Sequence, residues 1–144
     1  MALGGRRSTY DWRFKWDLVL HYSMPTKPST RAFKTAWFGK AAKKARIDDP
    51  ALRAAILEVM QDQADDLGGG VFKKRLNDNM HRSIVLAKGE RHWVFAYLFA
   101  KKDRANIDSD ELAGFKRLAQ AYGRMTRAEL ASALSQGDLQ ELFP

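Results

Sequence analysis

From residue 31 onward the apolar positions change period several times, and each change marks an element boundary. Arg31 to Lys34 reads as a short strand, and Thr35 is placed to cap a helix through Ala45 with Trp37, Ala41 and Ala45 along one side. Asp49 and Pro50 read as the N-cap and first-turn proline of the next helix. In that helix Leu52, Ala55, Ile56, Val59 and Met60 recur at intervals of three and four, as a single buried stripe requires, and Gly68-Gly69-Gly70 is expected to end it in a turn. Val71 to Leu76, Arg82 to Ala87 and Arg91 to Lys101 follow as extended segments, with Lys88-Gly89-Glu90 turning the chain between the last two, which predicts an antiparallel meander. Strict alternation along the last segment puts Trp93, Phe95, Tyr97 and Phe99 on one face and Val94, Ala96 and Leu98 on the other. The periodicity favours a sheet covered on both faces over one that leaves this aromatic surface open. Asp108 and Glu111 have capping-box spacing ahead of a helix with Leu112, Phe115, Leu118, Ala119 and Tyr122 on its apolar side. Thr126 and Glu129 repeat the signal for a last short helix ending near Gln136-Gly137, and Asp138 to Leu142 is an edge strand or tail.

The first 23 residues mix aromatics and charges without a period of 2 or 3.6, and Met24-Pro-Thr-Lys-Pro-Ser-Thr then reads as a loop. Two explanations stand: translation starts at Met24, or residues 1–30 are an arm that carries Trp12, Phe14 and Trp16 onto a partner or onto the domain at 31–144. Arg6 and Arg7 do not make an export signal, because Asp11, Arg13, Lys15 and Asp17 fall where an uncharged apolar segment has to be. A cytoplasmic protein is expected. Of the 144 residues 45% are hydrophobic, enough for one compact domain. The longest unbroken apolar run, Trp93 to Ala100, is far below the roughly 20 residues of a membrane-spanning helix. The absence of cysteine excludes disulfides, thiolate-ligated metal and a thiolate nucleophile.

Charge changes the picture most. The 25 Lys and Arg outweigh 17 Asp and Glu, a formal +8 that favours a polyanionic partner. The excess is not uniform: Lys27 to Arg46 holds seven basic residues and no acid, Asp48 to Asp66 six acids and one Arg, and Lys73 to Arg104 nine basic residues and three acids. Within the Val71 to Leu76 segment, alternation divides the basic triplet, with Lys73 and Arg75 on one face and Lys74 on that of Phe72 and Leu76, where it snorkels from the core side. Two cations on a strand can hold one phosphate in a fixed geometry. Lys101, Lys102 and Arg104 follow the aromatic segment, and aromatic surface beside cations suits single-stranded nucleic acid wherever it is open. His81 and His92 fit no metal-ligand spacing, though His81, beside Arg82, is a candidate proton carrier. No Ser-His-Asp order, phosphate-cradling Gly-rich loop or paired-carboxylate site is evident.

These passages resemble the RelE/HigB branch of the RelE/ParE superfamily of toxins from bacterial type II toxin-antitoxin systems, over about Arg31 to Leu142. The resemblance is carried by Phe33-Lys34-Thr35-Ala36-Trp37-Phe38, by Asp66-Leu67-Gly68-Gly69-Gly70-Val71-Phe72-Lys73-Lys74-Arg75, by Phe99 to Ile107 and by Asp110-Glu111-Leu112. It implies an α+β fold, helices packed on a small twisted, mainly antiparallel sheet. It also implies endoribonuclease action on messenger RNA in the ribosome, by attack of a ribose 2′-hydroxyl on the adjacent phosphate without metal or other cofactor. The residues matching the family's catalytic strands are Lys73, Lys74, Arg75 and Arg82, with His81 as an outside candidate; Lys101, Lys102 and Arg104 match its RNA-positioning passage. The partners implied are messenger RNA in the ribosome, a helix-turn-helix antitoxin and, through it, operator DNA; no membrane is implied. One departure is clear. Relatives of this type commonly carry a longer Gly, Lys and Ser-rich turn ending in Gly-Tyr-Arg, where this chain has only Asn77-Asp78-Asn79-Met80-His81 before Arg82. That departure keeps two other readings open: a non-enzymatic toxin binding a protein such as gyrase, and a degenerate toxin acting only in a repressor complex.

Overall fold

The computed structural model describes residues 30–89 and 92–143. The expectations about an arm or an alternative start at Met24 lie outside them. Strand β1 (Arg31–Thr35) runs into α1 (Ala36–Lys44), and the Thr35 hydroxyl accepts the Phe38 amide at 3.0 Å as its N-cap. α1 turns Phe38 and Ala42 into the core and leaves Trp37 exposed, so the stripe anticipated through Trp37 sits one residue away from the deepest side of the helix. α2 (Asp49–Met60) is capped by Asp48, whose carboxylate accepts the Ala51 amide, and not by Asp49 as expected. Asp49 instead pairs with Lys34 at 2.7 Å. Pro50 occupies the first turn.

α2 stops at Met60, well short of the glycines. The polar stretch after it turns at Asp62, with φ 63°, and then forms a strand that carries no apolar signal, β2 (Asp65–Gly68). Gly68, Gly69 and Gly70 all have positive φ and make the turn into β3 (Val71–Leu76). A Cβ on Gly69 would lie 2.7 Å from the Lys116 side chain, so glycine is required there on two counts. β4 (His81–Lys88) and β5 (His92–Ala100) complete the antiparallel meander. The capping boxes at Asp108/Glu111 and Thr126/Glu129 start α3 (Ser109–Gly123) and α4 (Arg127–Ser135) as anticipated, and β6 (Leu139–Glu141) is an edge strand.

The sheet order is β2-β3-β4-β5-β1-β6. β1 lies parallel to β5, and every other pairing is antiparallel. Among the described residues four helices pack on this sheet, an α+β fold. One face packs Leu76, Val85, Phe95 and Leu98 against Phe38, Leu52 and Ile56 of α1 and α2. The other packs Val71, Ile84, Leu86, Val94 and Phe99 against Ala119 of α3 and Leu130 of α4. Both faces are therefore covered.

Strict alternation fails in β5. Ile84 is opposite Tyr97 whereas the next residue, Val85, is opposite Phe95, so Ala96 is an extra residue, a β-bulge. One added residue exchanges the two faces from that point on. Trp93 and Phe95 point to the α1–α2 side, while Tyr97 and Phe99 point to the α3–α4 side, which corrects the expectation of a single aromatic face.

Candidate functional site

Alternation in β3 and β4 builds a cationic corner. Lys73 and Arg75 lie on the α3–α4 face, with Ile84 and Arg82 as their respective partners across the ladder. Arg82 in turn faces Phe99. Lys73, Arg75 and Arg82 thus occupy neighbouring positions on two adjacent strands, towards the hairpin turn that joins β3 to β4. Directly opposite residues on one face have Cβ atoms about 5 Å apart. Lys73 Nζ donates to Asn106 Oδ1 at 3.4 Å, and the Arg82 guanidinium donates to the Asn79 carbonyl at 2.9 Å and the His81 carbonyl at 3.2 Å; Arg75 is exposed. Asp65 of β2, which the sequence did not single out, is opposite Lys73 across its ladder.

Cations elsewhere are used differently. Arg31 is paired with Glu141, Lys34 with Asp49, Lys74 with Glu58 and Arg104 with Glu111. Among the described residues no acid lies within 4.0 Å of the Lys73, Arg75 or Arg82 cations. Cations with no acid at ion-pair distance are open to an external anion.

Lys74 is separated from this group. It points to the opposite face, nearly buried, with Nζ 2.8 Å from Glu58 Oε1 and donating to the Gln63 carbonyl at 2.9 Å. The position is the core-side one that alternation gives, and the ion pair occupies the ammonium.

His81 also points to the α1–α2 side, opposite Leu76 and Ala100, one residue and one face away from Arg82. Its Nδ1 lies 3.2 Å from Asn77 Nδ2. An amide nitrogen can only donate, so in this arrangement the neutral ring carries its proton on Nε2. The turn behind it is tight: Asn77, Asp78 and Asn79 all take left-handed φ, between 52° and 70°, and the Met80 amide closes the turn on the Asn77 carbonyl at 3.0 Å. Asn and Asp tolerate this conformation better than other side chains. The tight turn delivers Arg82 into register with Arg75.

Lys101 and Lys102 are exposed just past β5, where the Lys101 amide bonds the Met80 carbonyl at 2.9 Å. With Asp78, Asn79, Met80, His81 and Ala100 they line a groove of about 480 Å³. Arg104 is a clamp. Its guanidinium grips both Glu111 oxygens at 3.0 and 2.5 Å, reaches Tyr97 Oη at 3.4 Å and the Asn106 carbonyl at 3.0 Å, and lies 5.5 Å above the Phe99 ring. The Arg104 guanidinium, helped by the Asp108 amide, holds the Glu111 carboxyl below its ordinary range, and Glu111 raises Arg104 in return. By fixing Asn106, Arg104 sets the partner of Lys73. The pairing with Glu111 was hidden in the sequence because Glu111 lies in the next helix. His92 sits away from this corner beside Lys88 and Arg31, where burial followed by those two charges lowers its basicity.

The sheet therefore carries, on one face of β3 and β4, an ammonium and two guanidinium groups with no acid of the described residues at ion-pair distance. The chain belongs to the RelE toxin family: the family model described as RelE toxin of the RelE / RelB toxin-antitoxin system matches residues 30–142. No curated protein and no solved structure matches the chain. Membership makes it the toxin half of a toxin-antitoxin pair, with an antitoxin as partner. Among the described residues no helix is long and apolar enough to cross a membrane.

Proposed function

We propose that this toxin is an endoribonuclease that cuts messenger RNA on the ribosome, without metal, at the corner made by Lys73, Arg75 and Arg82. The observation that carries the reading is the sharing of one face by these three cations with no acid of the described residues at ion-pair distance. In the reaction the ribose 2′-oxygen bonds to phosphorus as the bond to the 5′-oxygen breaks, leaving a 2′,3′-cyclic phosphate. The 2′-hydroxyl loses a proton and the departing 5′-oxygen gains one. Arg75 and Arg82 stabilise the charge that develops on the phosphoryl oxygens, where a fixed donor is typically worth about 10²–10³ in rate.

Lys73 is the lysine with access to the phosphate, for binding or proton transfer, since Lys74 is engaged with Glu58 on the other face. His81 reaches only a strand that passes over the end of β4, and with Nδ1 taken by Asn77 its Nε2 is the ring nitrogen left for proton exchange with the leaving oxygen. Exposed Lys101 and Lys102 extend the positive surface along the RNA, while Arg104 acts through Asn106. The site of action is then the cytoplasm, and the antitoxin blocks the corner and brings the complex to operator DNA.

Inducible expression with primer extension on cellular messages tests the reading. Cuts inside translated frames that vanish in Arg82→Ala support it. Arrested growth with intact messages instead indicates a protein target, and unaffected growth with retained antitoxin binding indicates a toxin that survives only as a repressor component.

A further inference from the structure

β1 pairs with β5 only as far as Lys34 opposite Phe95. Beyond that point the β1 side of β5 is taken by the start of α1, and Trp37 lies there against Tyr97, ring centroids 5.2 Å apart and planes inclined by 23°. Tyr97 is itself fixed by Phe115 at 5.8 Å and by Arg104 at its hydroxyl. Trp37 is nevertheless 52% exposed, the only aromatic side chain among the described residues that is. One indole face is thus backed by a rigid ring and much of the rest is open.

The open side looks into a groove of about 640 Å³ between α1 and the end of β5, whose charged lining is Lys44, Lys102, Arg104, Asp103 and the His81 ring. Lys44 and Lys102 are exposed and have no acid of the described residues at ion-pair distance, Arg104 is paired with Glu111, and Asp103 is the one acid in the lining. Arg82 is on the strand next to Tyr97, so Trp37 lies about two strand spacings, ~10 Å, from the strand that bears it.

We propose that Trp37 is a base-stacking platform, on which a nucleobase of the single-stranded substrate next to the scissile phosphate lies while Lys44 and Lys102 hold its backbone. Every base has a flat face, so such a platform grips RNA without selecting sequence. Backing by Tyr97 presents the indole preorganised, at little ordering cost. The inference rests on the RNA-cleaving reading and adds a second contact outside the cationic corner.

The test uses the full chain and a short single-stranded RNA blocked against cleavage by 2′-O-methyl groups, with affinity read by fluorescence anisotropy. A matched series removes one base at a time. Trp37→Ala is expected to weaken binding about 5- to 150-fold, the range of one stacked base, and Trp37→Phe to restore most of it. One base-free position should cost the wild type a comparable factor and cost Trp37→Ala nothing more. Unchanged affinity in Trp37→Ala, or weaker binding that stays sensitive at every position, overturns the platform. If that happens while Arg82→Ala still abolishes cutting on ribosomes, the cleavage reading survives without it; a wild type that neither binds nor cuts removes both.

Discussion

Arg75 and Arg82 are direct partners across the β3–β4 ladder, two cationic side chains on one face. Like charges so placed destabilise a sheet, by about 0.2–1 kcal/mol. The fold tolerates this because the surrounding core is covered on both sides. Arg75→Gln is therefore expected to raise stability by about that amount in urea unfolding while slowing cleavage. Inorganic phosphate should protect the wild type against unfolding more than the variant. Equal protection of both proteins would show that the pair does not bind the anion.

The two adjacent lysines should separate cleanly. Lys74→Met removes the pairing with Glu58 and leaves the Gln63 carbonyl without its donor, a loss of about 1–3 kcal/mol in unfolding experiments, with the rate per folded molecule nearly kept. Lys73→Met should leave stability within about 0.5 kcal/mol and lower the rate, because that side chain is held only by a long bond to Asn106.

Acid stability should report the Arg104 clamp. Folding lowers the Glu111 pKa, so its contribution is present above the ordinary value of 4.5 and disappears as pH falls through the lower folded value. Thermal melts are expected to show a drop across that acid window in the wild type, and a smaller one in Glu111→Gln, which keeps an acceptor for the Asp108 amide but has no charge to lose. Identical slopes in the two proteins would contradict this account of the 104–111 segment.

Much of the fold was legible because its signals are local. The caps at Thr35, Asp108 and Thr126 each need only side chains within three residues, and all three form. The separation of Lys73 and Arg75 from Lys74 was legible for the same reason, since alternation in β3 is unbroken. The bulge at Ala96 was not, because an extra residue is defined only against its partner strand, and it moved Tyr97 and Phe99 to the other face. β2 was missed because Asp65 and Asp66 carry no apolar pattern and pair at an exposed edge. The exposure of Trp37 depends on where β1 ends relative to β5, a tertiary fact. The family's basic residues could be matched to this chain, but that Arg104 is a clamp and Lys74 a buried ion pair emerged only with the positions of Glu111 and Glu58.

The turn at Asn77 to Asn79 gives a stability prediction independent of any activity. Asp78 has φ 52°, which a β-branched side chain adopts only with strain. Asp78→Val should destabilise by about 1–2 kcal/mol and Asp78→Gly should be neutral or slightly stabilising, as read by chemical denaturation. Equal effects of the two changes would mean that the turn is not held in this conformation.

If Arg75 and Arg82 stabilise a breaking phosphodiester, the effect should be seen at the chemical step, in single-turnover cutting of messenger RNA on programmed ribosomes. The wild type should yield a 2′,3′-cyclic phosphate end at a rate insensitive to EDTA, and Arg82→Ala, folded and still bound by the antitoxin, should be slower by about 10²–10³. An Arg82→Ala protein that cuts at the wild-type rate would contradict the account.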